Sequence, residues 1–293
     1  MRKLDAAARP SVVRGMREGT TPEMQVMDAV ALVTGASSGL GAATAERLSA
    51  AGARVLVHGR DEARLSEVAR SIKGTPIAAD LADPEAVQRL AKAALEVAGR
   101  VDILVNNAGL GWAGRLAAMP DPAAADLIAV NLTAPIALTK ALLPGMLAAN
   151  RGRIIFVTSI AGRTAVAGEA VYAATKAGLD LFAESMSLEL HGTGVGVGVF
   201  VPGVVDTPFF QRRGLPYQRS RPRPQQVAQV ADALVQMIAT DRSERYAPRW
   251  LRLPVVVRAA VPGAYRRLAA RFGETSKLAA GGSIPDRSPG TEG

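Results

Sequence analysis

Short apolar runs rich in β-branched residues recur along the chain at Val30–Val33, Val55–Val57, Thr75–Ala79, Ile103–Val105, Ile154–Val157 and Val195–Val201. Between them, apolar positions fall at helical spacing over about 40–51, 61–72, 84–99, 123–149, 170–191 and 225–239. The runs are continuous rather than alternating, so the strands they predict are buried on both faces. Strands separated by helices of this length pair in parallel through right-handed crossovers. The pattern predicts an α/β fold: one doubly wound parallel sheet of about seven strands flanked by helices, with a basic helical C-terminal extension. It divides the chain into a flexible N-terminal extension over 1–27, one domain over 28–249, a basic amphipathic extension over 250–273 and a disordered tail over 274–293 rich in Gly, Ser and Pro. Met24 and Met27 stand just before the first strand, which leaves a shorter start as an alternative.

Composition narrows the chemistry. With 48% hydrophobic and 21% charged residues over 293 positions, the chain has ample material for a core, which excludes wholesale disorder. No run of about 18 apolar residues is free of charges and breakers, so no transmembrane helix is expected. The first 28 residues lack the apolar stretch of a secretory signal. Cysteine is absent, which excludes disulfides, thiolate metal sites and cysteine nucleophiles. The two histidines, His58 and His191, read as a strand-end residue and a helix-end residue, and no metal site is expected.

The net charge of +9 is uneven: residues 29–210 carry 15 Lys and Arg against 16 Asp and Glu, whereas residues 211–273 carry 13 against 3. Such a segment is either a solvated arginine-rich face or a surface for an anionic partner. An anionic membrane and an acidic acyl carrier are the candidates; no recognition motif accompanies the charge, so no nucleic acid is expected. Over 250–273, aromatic and aliphatic residues interleave with arginine as in a surface-lying helix, broken by Pro254 and Pro262. Packing over the substrate pocket or against another subunit is the alternative.

The first predicted strand runs into Thr34-Gly35-Ala36-Ser37-Ser38-Gly39-Leu40-Gly41 and then an alanine-rich helix. Glycines there permit a tight turn and close backbone approach to a pyrophosphate, and the helix N-terminus supplies free N–H groups. An acidic residue about 20 positions further on would hold a ribose 2′-hydroxyl. That place holds Gly59, followed by Arg60, a cation suited to a 2′-phosphate. NADP(H) is therefore preferred, with NAD(H) as the alternative.

Tyr172 and Lys176 are four apart on a predicted helix and share one face. A neighbouring ammonium favours the phenolate, and bringing a tyrosine near neutrality requires about 4 kcal/mol of differential stabilisation. Ser159, at the end of the fifth strand, is placed to hydrogen-bond a substrate carbonyl. Each residue also has a bland reading: Ser159 as a cap, Asn131 satisfying backbone, Tyr172 in the core, Lys176 exposed. Together, and in this order with the glycine turn, Asp80-Leu81, Asn106-Asn107-Ala108-Gly109 and Pro202-Gly203 with Thr207, they resemble the short-chain dehydrogenases/reductases over about residues 28–240.

The resemblance implies a Rossmann-type fold and an enzyme interconverting a carbonyl and an alcohol. It implies cofactor contacts from Gly35, Ser37, Ser38, Gly39, Leu40, Gly41, Arg60, Asp80, Leu81, Asn107, Ala108, Gly109, Tyr172, Lys176, Pro202, Gly203, Val205 and Thr207. It implies catalytic roles for Asn131 (through a water leading to Lys176), Ser159, Tyr172 and Lys176. Substrate choice would reside in about 110–120, 160–168 and 207–224; that lid carries Phe209, Phe210, Arg212, Arg213, Arg219, Arg221 and Arg223. Trp112 would line the pocket or pack on its loop, and Glu169 would touch substrate or serve only as a helix-start acid. A small hydrophobic (lipid-, steroid- or acyl-like) carbonyl or alcohol is the expected substrate, in a cytoplasmic homodimer or homotetramer. An NAD-dependent alcohol or steroid-type dehydrogenase and a non-catalytic dinucleotide-binding protein are the alternatives.

Overall fold

The computed structural model describes residues 25–215 and 222–272. The expected tail over 274–293, most of the N-terminal extension, and Arg219 and Arg221 lie outside the described residues.

Seven strands form one parallel sheet: β1 (Val30–Val33), β2 (Arg54–Gly59), β3 (Thr75–Ala78), β4 (Ile103–Asn106), β5 (Gly152–Val157), β6 (Val195–Pro202) and β7 (Glu244–Ala247). Their spatial order is β3-β2-β1-β4-β5-β6-β7. The order reverses at β1, whose Ala31 sits opposite Val55 of β2 on one side and Ile103 of β4 on the other. A crevice opens beyond the carboxyl ends of the strands at such a reversal.

Successive strand residues face opposite layers, so the continuous apolar runs feed two cores. Leu32, Leu56, Leu104, Ile154 and Phe156 pack under α3 (Pro84–Ala98), α5 (Ala134–Ala148) and α7 (Ala170–Glu189). Val33, Val55, Val57, Ile103, Ile155 and Phe200 pack under α1 (Gly39–Ala50), α2 (Glu62–Ser71) and α9 (Val227–Ala239). Val26, within the extension expected to be flexible, joins the second core. The helices start where short polar side chains can cap them: Asp61 accepts from the Arg64 N–H, and Asp83, followed by Pro84, accepts from the Glu85 N–H.

Three departures from the sequence pattern bear on the site. The helical stretch expected over 123–149 is α4 (Asp121–Ile128), a π-helical turn over Ala129–Thr133, and α5. This 28-residue run is long and apolar enough to cross a membrane by length and composition, but it packs against α3 and α7 and buries Asn131 and Thr139. A short helix, α6 (Ile160–Thr164), occupies the segment after Ser159. The β7 strand was not among the apolar runs because this edge strand opens with charged Glu244 and Arg245. Beyond α8 (Phe209–Arg212), α9 and β7, the chain ends its described course in α10 (Arg252–Ala260) and α11 (Pro262–Phe272).

Candidate active site

The turn after β1 is built by close approach. Gly35 and Gly39 hold φ of +65° and +58°, in the left-handed region that favours glycine. A Cβ at Gly35 would stand 2.8 Å from the Ala108 Cα, and one at Gly41 would stand 2.2 Å from the Gly35 carbonyl. The Thr34 hydroxyl accepts from the N–H groups of Asn107 and Ala108, each at 3.0 Å, and donates to the Val105 carbonyl at 3.2 Å. Asn107 Nδ2 donates to the Thr34 carbonyl at 2.8 Å. The ends of β1 and β4 are thereby stitched together at the point of reversal.

His58, buried on β2, completes this end. Its Nδ1 accepts from the Gly35 N–H at 3.4 Å and its Nε2 lies 3.1 Å from the Ala79 carbonyl. Burial pushes its pKa down to about 4, so the ring is neutral and Nε2 carries the proton. His58 is therefore a core residue that ties the glycine turn to β2 and β3.

Ser38 precedes α1 with no side-chain cap bond, and the first turn of α1 carries no acid. The N–H groups and partial positive charge of this terminus thus face a cleft of about 2350 Å³. A narrow glycine-lined turn beside a free helix N-terminus fits a dinucleotide pyrophosphate.

At the far end of the turn, Arg60 is exposed and lines the same cleft as Arg64 and Arg212. Asp61 beside them is engaged: it caps α2 and pairs with Arg64 Nε at 3.2 Å. Burial, followed by the nearby Arg64 and Arg60 guanidinium groups, holds Arg212 below the usual arginine range, with Asp61 opposing. Asp80 accepts from the Ala82 N–H at 3.0 Å, and Leu81 is buried beside it. On the opposite wall, Thr207 covers the turn: a Cβ on Gly39 would lie 3.1 Å from its Cγ2. The Thr207 segment is pinned by Gly203, whose N–H donates to the Ala247 carbonyl at 2.8 Å, and by buried Val205, which bridges Gln225.

The reactive side chains meet at the middle of the cleft. Ser159 stands two residues beyond the end of β5 and caps α6, its Oγ accepting from the Ala161 N–H at 3.2 Å. The same hydroxyl stands by the Tyr172 phenol and favours its phenolate. Lys176, one turn along α7, is buried, with its Nζ 6.0 Å from the Tyr172 ring centroid and donating to the Val157 carbonyl at 3.0 Å. Burial lowers the Lys176 pKa to about 8, against the pull of Asp180.

Tyr172 goes the other way from the sequence expectation. Burial, with a contribution from Glu169, pushes its pKa up to about 12, although Ser159 and Arg213 oppose the rise. Desolvation outweighs the pull of Ser159 and Arg213 toward the phenolate. The phenol is therefore protonated at neutral pH.

Asn131 stands behind the cleft wall, fully buried in the π turn. Its Oδ1 accepts from the Leu110 N–H at 2.8 Å; its Nδ2 donates to the Leu110 carbonyl at 2.9 Å and the Thr175 hydroxyl at 3.2 Å. The side-chain amide thus staples the loop after β4 to α7. A Cβ on Gly109 would lie 3.3 Å from the Asn131 Oδ1 and 3.4 Å from the Lys176 Nζ, so this glycine lets the two approach. Every residue expected to touch cofactor lines the one cleft; so do Ser159, Trp112 and Glu169.

The substrate half is apolar. Trp112 is buried against Ala123, Leu127, Ala161 and Tyr172, and Phe209 packs on this cluster with its ring centroid 5.7 Å from that of Tyr172. Glu169 forms a mostly buried ion pair with Arg213 of the lid, whose guanidinium lies 4.7 Å from the Phe210 ring centroid. The basic extension adds a further wall through Leu251, Pro254, Val255, Ala259 and Tyr265. Tyr265 donates to the Thr164 carbonyl at 3.2 Å, and Arg258 donates to the Arg163 carbonyl.

The family model for short chain dehydrogenase matches residues 29–217. The chain belongs to the short-chain dehydrogenases/reductases. It is 39% identical to the 3-oxoacyl-acyl-carrier-protein reductase of Vibrio cholerae, over 63% of this chain and 76% of that one. Two solved short-chain dehydrogenases superpose on it. One from Burkholderia phymatum, in complex with NAD, has a TM-score of 0.75 and 25% identity over 81% of this chain and 95% of that one. One from Sphingobium yanoikuyae, in complex with NADPH, has a TM-score of 0.71 and 28% identity over 84% and 97%. As a short-chain dehydrogenase/reductase, the protein is an NAD(P)-dependent oxidoreductase acting on CH–OH and C=O groups.

Sequence reasoning missed several participants. Thr175 and Leu110 act through Asn131, but nothing about a threonine beside Lys176 or a leucine after a glycine signals that use. Arg163 escaped notice as well: from α6 it binds Asp180 of α7 at 2.9 and 3.1 Å and also engages Glu244 and Tyr246. Its position four residues after Ser159 was the available clue.

Proposed function

We propose that the protein reduces a hydrophobic ketone to an alcohol, or runs the reverse oxidation, with NADP(H) as its preferred cofactor. The carrying observation is the convergence of Ser159, Tyr172 and buried Lys176 on one largely apolar cleft.

Gly35 to Gly41 and the α1 terminus would hold the pyrophosphate, Arg60 the 2′-phosphate, Asp80 and Leu81 the adenine side, and Asn107 to Gly109, Pro202, Gly203, Val205 and Thr207 the nicotinamide side. The bound nicotinamide supplies or accepts the hydride. Ser159 orients the substrate oxygen by a hydrogen bond that strengthens as negative charge develops there. Tyr172, kept as a neutral phenol, donates its proton to that oxygen during reduction and takes one back during oxidation. Lys176 favours the transient phenolate through its charge. Arginine would not replace it, because a planar guanidinium is not a compact ammonium. Asn131 fixes the loop after β4 and the α7 residues against each other.

The clustered Arg60, Arg64 and Arg212 favour NADP(H), and NADPH is the cofactor of the Sphingobium relative. The Burkholderia relative holds NAD, which keeps an NAD-dependent dehydrogenase as the second reading. The Trp112, Phe209 and Val255 walls favour a lipid-, steroid- or acyl-like chain, and the name of the Vibrio relative points to acyl substrates. The exposed Leu181 and Leu188 on α7 and Leu147 on α5 support a homo-oligomer through these helices.

The test is to follow NADPH and NADH oxidation on a panel of hydrophobic ketones and 3-oxoacyl thioesters. NADPH-dependent turnover lost in Tyr172→Phe is expected. Binding of either cofactor with no turnover on the panel would leave a non-catalytic dinucleotide-binding protein.

A further inference from the structure

The two C-terminal helices are sharply two-sided. Toward the catalytic cleft they present Leu251, Pro254, Val255 and Arg258, then Pro262, Tyr265 and Ala269, at three- and four-residue spacing. Away from it, none of Leu253, Val256, Val257, Val261 or Leu268 lines the cleft, and all are exposed, Leu253 by 65% and Leu268 by 58%. Trp250, although 54% exposed, lines the cleft and belongs to the other side. Scattered surface leucines need no explanation, but a contiguous aliphatic face on two successive helices marks a contact surface.

Its charge selects the partner. Residues 245–273 carry seven arginines and no acidic residue or lysine. Among the described residues, Asp180 and Glu244 are both engaged by Arg163. Arg249, Arg252 and Arg267 are exposed on the helices that carry the apolar face or just before them and line no part of the cleft.

We propose that α10 and α11 form a docking surface for an anionic phospholipid membrane, lying in the headgroup plane. There Leu253, Val256, Val257, Val261 and Leu268 would enter the acyl boundary and the arginines would meet lipid phosphates. A second copy of the chain is a poor occupant, because a two-fold contact through this face would set arginine against arginine with no carboxylate to offset them. An acidic carrier protein would answer the charge but leave the aliphatic face without a partner. The placement goes beyond the catalytic reading and does not depend on it. It adds one consequence that does rest on that reading: the cleft lies directly behind the docked helices, so a lipophilic substrate would arrive from the bilayer.

The test is flotation of the full chain with vesicles of phosphatidylcholine alone and of phosphatidylcholine mixed with phosphatidylglycerol. The variants are L253S/V256S/V257S, whose three sites line no part of the cleft, and Arg252→Gln with Arg267→Gln. Thermal melting shows that each is folded, so the result is independent of cofactor binding and turnover. The expected result is binding to the mixed vesicles roughly tenfold tighter than to the neutral ones, lost by about that factor in either variant. Four outcomes would overturn the proposal. These are absence of flotation with both vesicles, equal flotation with both, undiminished flotation of the folded triple variant, and self-association or acyl-carrier binding through this face without flotation.

Discussion

Lys176 on α7 donates to the carbonyl of Val157, the last residue of β5, at 3.0 Å. That bond joins a helix to the strand whose end also delivers Ser159, so the ammonium, the phenol one turn earlier and the serine hydroxyl keep a fixed spacing. The site is thus set by a strand end and a helix face, both backed by the core, rather than by loops alone.

Removing the phenol hydroxyl should abolish chemistry while sparing binding. In Tyr172→Phe the proton donor goes, and kcat is expected to fall about a thousandfold. Cofactor affinity, measured by fluorescence titration, should change little. Substantial residual turnover would transfer the proton-donor role to another group.

The alkaline limb of the pH profile should belong to lysine. The Lys176 pKa is lowered to about 8 and that of Tyr172 raised to about 12, so lysine loses its proton first as pH rises. kcat/KM for carbonyl reduction is therefore expected to decline through pH 8 in the free enzyme. A profile flat across pH 8 would contradict this order of titration.

His58 should make the fold sensitive to acid. Its folded pKa of about 4 lies below the ordinary 6.5, so the unfolded chain takes up the proton first as pH falls. Stability from the neutral ring is intact above pH 6.5 and is lost between 6.5 and 4. The loss amounts to about 3 kcal/mol. Denaturant melts across that range should show it, and His58→Gln, which does not titrate, should lack this component.

Charge at the adenosine end should decide the cofactor. Arg60→Ala is expected to weaken NADPH binding by roughly tenfold or more, the worth of a charge-assisted hydrogen bond. NADH binding should hardly move. Equal losses for both cofactors would place Arg60 away from the 2′-phosphate.

The sheet, its helices and the glycine turn were legible because periodicity and backbone sterics act locally. Thr34 to Gly41, Ser159, Tyr172 and Lys176 all lie where the pattern put them, and all line one cleft except Thr34, which secures it from behind, and Ala36, which is buried in the core. What escaped depends on partners distant along the chain. The Glu169–Arg213 pair spans 44 residues, and no spacing rule links its members. The direction of the Tyr172 shift escaped too: a neighbouring lysine was visible in the sequence, whereas the burial that outweighs it is a property of the packed fold. The α6 helix, five residues long, is too short to show a period.

The π turn over Ala129–Thr133 interrupts a helix that is otherwise regular on both sides. A π turn holds one more residue than the α-helical turn it replaces. Deleting one residue there would not restore an unbroken α-helix, because Pro135 in the first turn of α5 has no N–H to donate back to the preceding turn. The deletion would instead turn away the amide that clamps Leu110 to Thr175. In most core helices a one-residue deletion rotates every following side chain out of place; here the extra residue is the very thing the site requires.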